Sequence, residues 1–286
     1  MKLLRFGAPG EERPGLLGDD GHIRDLSSVI DDLSGKNLDP VQLARLRALD
    51  VSTLPVVSGD TRLGPPIDGT RNFVGIGLNY SDHAKEAGKN PPDEPIIFLK
   101  AVGSICGPND DTVLPAESMK SDWEVEFAIV IGRTARNVSK EDALGYVAGY
   151  CICNDISERA WQSERGGTWD KGKSFDTFGP LGPWLVTTDE ITDPTNLAMF
   201  LDVDCARMQT GNTSSMIFGV EELVSYTSQC LTLFPGDVIS TGTPPGIGLA
   251  KKPQVFLRPG QTMHLGIEGL GEQKQRVRAF EDRQVK

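Results

Sequence analysis

The sequence predicts an α+β protein built on mixed or antiparallel sheets, with a small N-terminal strand–helix unit ahead of a larger strand-rich domain. Three observations carry this expectation. The 286 residues include 32 glycines and 19 prolines, a turn-rich composition that suits many short strands better than a helical bundle. Short apolar runs with period-two alternation recur along the chain, whereas helical periodicity is brief. Strands and helices do not alternate strictly, which disfavours a doubly wound nucleotide-binding fold.

The elements follow in order. Residues 2–6, 15–17 and 22–26 read as strands, separated by Pro9-Gly10 and by Asp19-Asp20-Gly21, a strong turn signal. A helix is expected at 40–49, where Val41, Leu43, Leu46 and Leu49 make one apolar face. The polar, proline-bearing segment 58–70 reads as the connection, so the division is 1–70 and 71–286. In the second part strands are expected at 72–76, 95–101, 124–131, 146–155, 184–187, 197–203, 237–241 and 262–267. Helices fit 81–87, 139–144 (Ser139 and Asp142 spaced as a capping box), 157–164 and 220–231.

Charge and composition exclude several functions. With 40 acidic against 29 basic residues the net charge is −11, so no basic excess exists to replace counterions on nucleic acid or to bind an anionic membrane. No apolar run approaches the roughly 18 residues of a membrane span. The N-terminus lacks the apolar core of a secretion signal. Five cysteines (Cys106, Cys151, Cys153, Cys205, Cys230) are an odd number without a C-x-x-C pair, which fits a reducing cytoplasm. The run Gly75-Ile76-Gly77 lacks the third glycine and the βαβ unit of a dinucleotide site.

The sharpest feature is Glu124-Val125-Glu126-Phe127-Ala128-Ile129-Val130-Ile131. Along a strand, Val125, Phe127, Ile129 and Ile131 share one face. Glu124 and Glu126 share the other, about 7 Å apart at Cα, and Ala128 and Val130 continue it. The strand at 146–155 repeats the pattern: Val147, Gly149, Cys151 and Cys153 line a face that ends in Asp155. Carboxylates leaving water together need a cation, and a hard divalent ion takes oxygen ligands. An exposed strand end neutralised by Lys120 or Lys173 accounts for the same pattern. Three histidines in the chain disfavour zinc. Within 81–87, His83 and Glu86 fall on one helical face, and a carboxylate against imidazole fixes its tautomer and raises its basicity, as a water-activating base requires.

Taken together these segments resemble the fumarylacetoacetate hydrolase family, in its shorter prokaryotic acylpyruvate-hydrolase-like branch. The resemblance covers about residues 72–269. It rests on elements in the family's order: Gly77-Leu78-Asn79-Tyr80 leading into His83 and Glu86, Phe98-Leu99-Lys100, Asp122-Trp123-Glu124-Val125-Glu126, Asn154-Asp155-Ile156-Ser157, Lys173-Ser174-Phe175-Asp176, and Pro235-Gly236-Asp237 through Thr243-Pro244. It implies a mixed β-sandwich roll with a smaller N-terminal domain, assembled as a homodimer. It implies Mg²⁺ or Mn²⁺ on Glu124, Glu126 and Asp155, a base dyad of His83 and Glu86, and Lys173 beside the metal. Arg159, Gln162 and Thr243 match positions that contact substrate, Thr243 being the one that receives its carboxylate.

The implied reaction is metal-dependent hydrolysis of a carbon–carbon bond in a 2,4-dioxo acid to pyruvate and a second acid. The segment from Ser157 to Gln162 and the loop 166–170 resemble those of hydrolases acting on 2,4-diketo-3-deoxy sugar acids of L-rhamnose or L-fucose breakdown, which release a hydroxy acid such as lactate. Arg165, Thr168 and Asp170 are expected to meet the sugar hydroxyls, and Arg159, Arg165, Lys171 and Lys173 to receive the anion. Fumarylacetoacetate hydrolase itself carries a further carboxylate ligand ahead of its histidine. Here Asn79 and Tyr80 stand in that neighbourhood, which turns expectation away from the tyrosine-degradation substrate. Decarboxylases of oxaloacetate-like acids, dienoate hydratases and ureidoglycolate-type lyases share the implied site. A non-catalytic metal- or ligand-binding β protein is the alternative of another class, against which His83, Glu86 and Lys173 together argue.

Overall fold

The computed structural model describes residues 1–191 and 193–282; Thr192 and the last four residues of the expected 71–286 segment lie outside the described residues. The chain is mostly sheet with few helices. Among the described residues the larger sheet has eleven strands. Its main path runs Ile23–Asp25, Arg13–Leu17, Lys2–Phe6, Gly179–Thr187, Val147–Asn154, Val125–Ile131, Val238–Ser240, Phe73–Gly77 and Ile96–Lys100. Neighbours are antiparallel except Val238–Ser240 beside Phe73–Gly77. A second sheet of five strands runs Ala206–Asn212, Ala198–Val203, Thr262–Ile267, Gly271–Arg278 and Thr112–Val113.

Alternation builds both faces of the large sheet. Val125, Phe127, Ile129 and Ile131 point into the core shared with the second sheet, where they meet Met199, Leu201, Met263 and Leu265. Ala128 and Val130 point to the opposite core with Leu38, Leu43 and Leu46 of the N-terminal segment. Fully burying a side chain such as Phe127 or Ile129 is worth about 1.5–3 kcal/mol; both faces are buried, so a one-residue slip of this strand would cost chiefly by turning Glu124 and Glu126 toward the apolar core between the sheets. The N-terminal strands join the large sheet: Lys2 and Leu3 pair with Val186 and Leu185, and Leu63–Gly64, inside the expected connection, pairs with Arg5 and Phe6.

Four local expectations change. Val147 does not share a face with Cys151 and Cys153: a register shift pairs Val130 with Gly149 but Ile131 with Val147, and the skipped Ala148 joins Cys151 and Cys153 in the second core. The expected helix at 157–164 begins as a strand, Ser157–Glu158, paired with Ser121–Asp122, and continues as a π-helical turn at Ala160–Glu164. At 139–144 the Ser139–Asp142 contacts form, but the helix is a single 3₁₀ turn at Ala143–Tyr146. The strands Ala206–Asn212 and Gly271–Arg278, too polar to stand out by alternation, complete the second sheet. Among the described residues no helix is long and apolar enough to cross a membrane.

Candidate metal centre and active site

Two neighbouring strands of the large sheet bring the carboxylates together. Glu126 lies across from Cys153, and the Asp155 amide donates to the Glu124 carbonyl at 2.9 Å, so Asp155 ends its strand beside both glutamates. Ligand oxygens of Glu124, Glu126 and Asp155 lie within 4.8 Å of one another. The three residues are 6%, 2% and 0% exposed, which removes the exposed-strand-end alternative.

Cations compensate all but one of these carboxylates. Lys173 Nζ bridges Glu124 Oε2 and Asp155 Oδ2, each at 2.6 Å. Arg159 Nη2 meets Glu124 Oε1 at 2.7 Å, and its Nε donates to Asp122 Oδ2 at 2.9 Å. Burial alone would raise Glu124, yet Arg159 and Lys173 outweigh it and hold its carboxyl below the ordinary range. Glu126 accepts from Ser240 Oγ at 2.6 Å and the Gly242 amide at 3.0 Å, and makes no ion pair among the described residues. Burial, then the charges of Asp155 and Glu124, push its carboxyl well above the ordinary value. Lys120 is not part of this cluster; it pairs with Glu164 at the surface.

The base pair forms on a short helix, Ser81–Glu86, whose end at Gly88 carries a positive φ of 65°. His83 Nδ1 lies 3.0 Å from Glu86 Oε2, and the Gly246 amide holds the same carboxylate at 3.0 and 3.2 Å. A carboxylate at Nδ1 assigns the proton there and leaves Nε2 as the basic nitrogen. The chain enters this helix through Leu78, at φ 54°, and Asn79. The Asn79 amide is spent on backbone groups of Phe218 and Thr241, so it anchors the turn.

His83, Glu86, Glu124, Glu126, Asp155, Arg159, Gln162, Lys173 and Thr243 all line one cavity of about 750 Å³. Its wall adds Ile96, Phe98, Trp169 and Leu249, with Lys89 and Lys252 also lining it. The Gly75-Ile76-Gly77 run has a packing reason: a Cβ at Gly75 would lie 2.2 Å from the Phe98 ring, and one at Gly77 2.6 Å from Trp169. The Arg159 and Gln162 side chains are joined at 3.0 Å. The Thr243 hydroxyl donates to the Val125 carbonyl at 2.9 Å and accepts from Gln209 at 2.8 Å. Arg165, Thr168, Asp170 and Lys171 do not line the cavity: the Arg165 guanidinium stacks 4.4 Å above Trp161, and Asp170 accepts from the Leu99 amide.

Two site residues escaped the sequence reading as individual candidates. Lys100 Nζ donates to Asp155 Oδ1 at 2.6 Å and to the Lys173 carbonyl. Asp122 anchors Arg159 and accepts the amides of Gly248 and Leu249 at 2.7 and 3.0 Å. The signal for Lys100 is its position two residues after the buried Phe98 on an edge strand, which turns it inward.

With this geometry in hand, the comparisons with known proteins are direct. Residues 72–278 match the family described as fumarylacetoacetate (FAA) hydrolase C-terminal. The chain belongs to the fumarylacetoacetate hydrolase family. A Burkholderia multivorans protein provisionally named a hydrolase is 59% identical over 280 residues, 98% of this chain and 99% of its own. Fumarylacetoacetate hydrolase from Exiguobacterium antarcticum superposes with a TM-score of 0.85 at 36% identity, covering 98% and 99% of the two chains. Maleylpyruvate hydrolase from Sphingobium sp. SYK-6, solved with manganese(II) and pyruvate, gives 0.79 at 28% identity with the same coverage. The 2-hydroxyhepta-2,4-diene-1,7-dioate isomerase of Mycobacterium marinum gives 0.74 at 32%, covering 98% of each. The family thus joins hydrolases and isomerases on one fold.

Donor chemistry supports the family's cation. All three donors are carboxylate oxygens, as Mg²⁺ and Mn²⁺ prefer, and oxygens on opposite sides of an octahedral Mg²⁺ are about 4.2 Å apart. The buried, unpaired Glu126 is the group that a divalent ion would satisfy.

Proposed function

We propose that the chain is a divalent-metal-dependent hydrolase that cleaves the carbon–carbon bond of a 2,4-dioxo acid to pyruvate and a second acid. The observation that carries the reading is that a three-carboxylate cluster and a histidine–glutamate pair line the same cavity. Glu124, Glu126 and Asp155 would hold Mg²⁺ or Mn²⁺, which supplies Lewis-acid polarisation of the substrate's oxygens. His83 Nε2 takes a proton from water as its oxygen attacks the distal carbonyl, while Glu86 stabilises the imidazolium. The bond between that carbonyl carbon and the methylene then breaks. Its electron pair leaves with the pyruvate fragment, whose methylene takes the proton held on His83 Nε2, and the attacked carbonyl becomes the carboxyl group of the second acid, which ionises to its carboxylate by releasing a proton to solvent. Lys173, between Glu124 and Asp155, stabilises developing negative charge beside the cluster.

Within this class a 2,4-diketo-3-deoxy sugar acid is the substrate to test first. Support comes from Gln162 and Ser163 in the cavity wall, which would meet a hydroxylated tail, and not from the loop residues Arg165, Thr168 and Asp170. The assembly proposed is a homodimer, to be checked by light scattering.

The isomerase among the structural neighbours favours a second reading: enolisation on the same metal site with no water consumed. The products separate the two, and His83→Ala tests the base. Hydrolysis should fall by about 10²–10⁴-fold in kcat, the usual worth of a general base. Oxaloacetate decarboxylation, which needs no activated water, would lose far less, whereas a dienoate isomerase still needs a base to move its proton and is told apart by its intact carbon skeleton. Equal retention of all activities in His83→Ala would remove the base from the account.

A further inference from the structure

The buried charges of the site form one alternating chain of contacts: Asp122, Arg159, Glu124, Lys173, Asp155 and Lys100, each touching the next at 2.6–2.9 Å. Three carboxylates and three cations balance within it, and of the three proposed metal ligands Glu126 alone stands outside it, with no ion pair among the described residues. With Glu126 ionised, as a metal ligand must be, the side chains of the cluster sum to one net negative charge. A divalent ion converts that to one net positive charge, and a monoanionic oxo acid then brings the site to neutrality.

Lys100 holds a distinct place in this balance. Its side chain is fully buried, among the described residues it pairs with no carboxylate but Asp155, and it is not among the residues lining the cavity. Arg159 and Lys173 face the cavity and could touch a substrate directly; Lys100 acts only from behind the ligand. It also ties Asp155 to the main chain of Lys173, so one ammonium fixes a ligand and the segment carrying its neighbour.

Resting on the metal site proposed above, we propose that Lys100 is a positioning residue that sets the charge of the centre: it weakens the hold on the divalent ion and makes the metal-loaded site positive, so that it takes up an anionic oxo acid. Metal affinity and substrate affinity are thereby traded against each other. A residue needed only for folding would lower both.

The test uses the full chain, stripped of metal and titrated calorimetrically with Mn²⁺, alongside steady-state kinetics at saturating Mn²⁺. Lys100→Gln, which keeps a hydrogen-bond donor and removes the charge, should bind Mn²⁺ about tenfold tighter or more, while KM for the oxo acid rises by about tenfold. Lys100→Arg, which keeps the charge, should leave both within about threefold of wild type. Loss of Mn²⁺ affinity in Lys100→Gln, or no change in either constant, would overturn the proposal. Wild-type protein gives an independent reading should Lys100→Gln not fold. Saturating pyruvate should tighten Mn²⁺ binding, because the anion neutralises the loaded centre; unchanged or weaker binding would count against it. Wild-type protein that binds no Mn²⁺ at all would instead overturn the metal site itself.

Discussion

Glu126 is the residue on which the chemistry of the centre turns, because it is buried with hydroxyl and amide donors but no cation. Its protonated form stabilises the metal-free fold. That contribution is complete below the pKa of an unfolded glutamate, about 4.3, and is lost as pH rises through the raised folded value. Asp122, also raised by burial, acts in the same direction, whereas the lowered Glu124 withdraws stability below the ordinary range. The melting temperature of metal-free protein should therefore fall as pH rises above about 4.5. Glu126→Gln should flatten that fall and reduce Mn²⁺ affinity by at least about a hundredfold, since a ligand charge is lost. A variant that keeps wild-type Mn²⁺ affinity in calorimetry would contradict the assignment. Glu86→Gln should leave Mn²⁺ affinity unchanged and lower kcat about tenfold to a hundredfold, because it weakens only the base.

At the scale of elements, the site depends on how closely two short turns approach. Gly172, in the helix Asp170–Lys173, would place a Cβ 2.4 Å from the Gln162 nitrogen and 2.5 Å from its Cα. Gly172→Ala must separate the π-helical turn carrying Gln162 from the turn carrying Lys173. It should cost about 1–3 kcal/mol in denaturant unfolding and lower activity with it. The strand alternation around Glu124 and Glu126 was legible in the sequence because period two is a strong signal when one face is wholly apolar. The i, i+3 spacing of His83 and Glu86 was legible for the same local reason. The register shift that turns Val147 to the other face was not, since a bulge depends on the partner strand's pairing. The strand at Ser157–Glu158 was hidden by helix-forming residues whose backbone is captured by Ser121–Asp122, a tertiary override of local propensity. Lys100 and Asp122 lacked individual signals because their partners are distant in sequence.

For the molecule as a whole, a ligand that binds only the folded state adds stability. Mn²⁺ at about a hundred times its Kd contributes about 2.7 kcal/mol, or roughly 5 °C in melting temperature for a chain of this size. Chelation should reverse the gain, and Glu126→Gln should show none of it. Thiol access reports the same packing. Burial pushes the Cys151 thiol up to about 12 and Cys153 well above its ordinary value, and Cys106 is buried as well. Native protein at pH 8 should therefore react rapidly with a thiol reagent only at Cys205 and Cys230, and at all five cysteines after denaturation.

The most direct test of the central claim is to run the metal-loaded enzyme in oxygen-18 water with a 2,4-dioxo acid and analyse the products by mass spectrometry. The account predicts pyruvate and one equivalent of a second acid carrying a single heavy oxygen in its new carboxylate, all lost on chelation or in His83→Ala. An intact carbon skeleton with no label incorporated, or release of carbon dioxide in place of the second acid, would contradict it and make this centre one for enolisation alone.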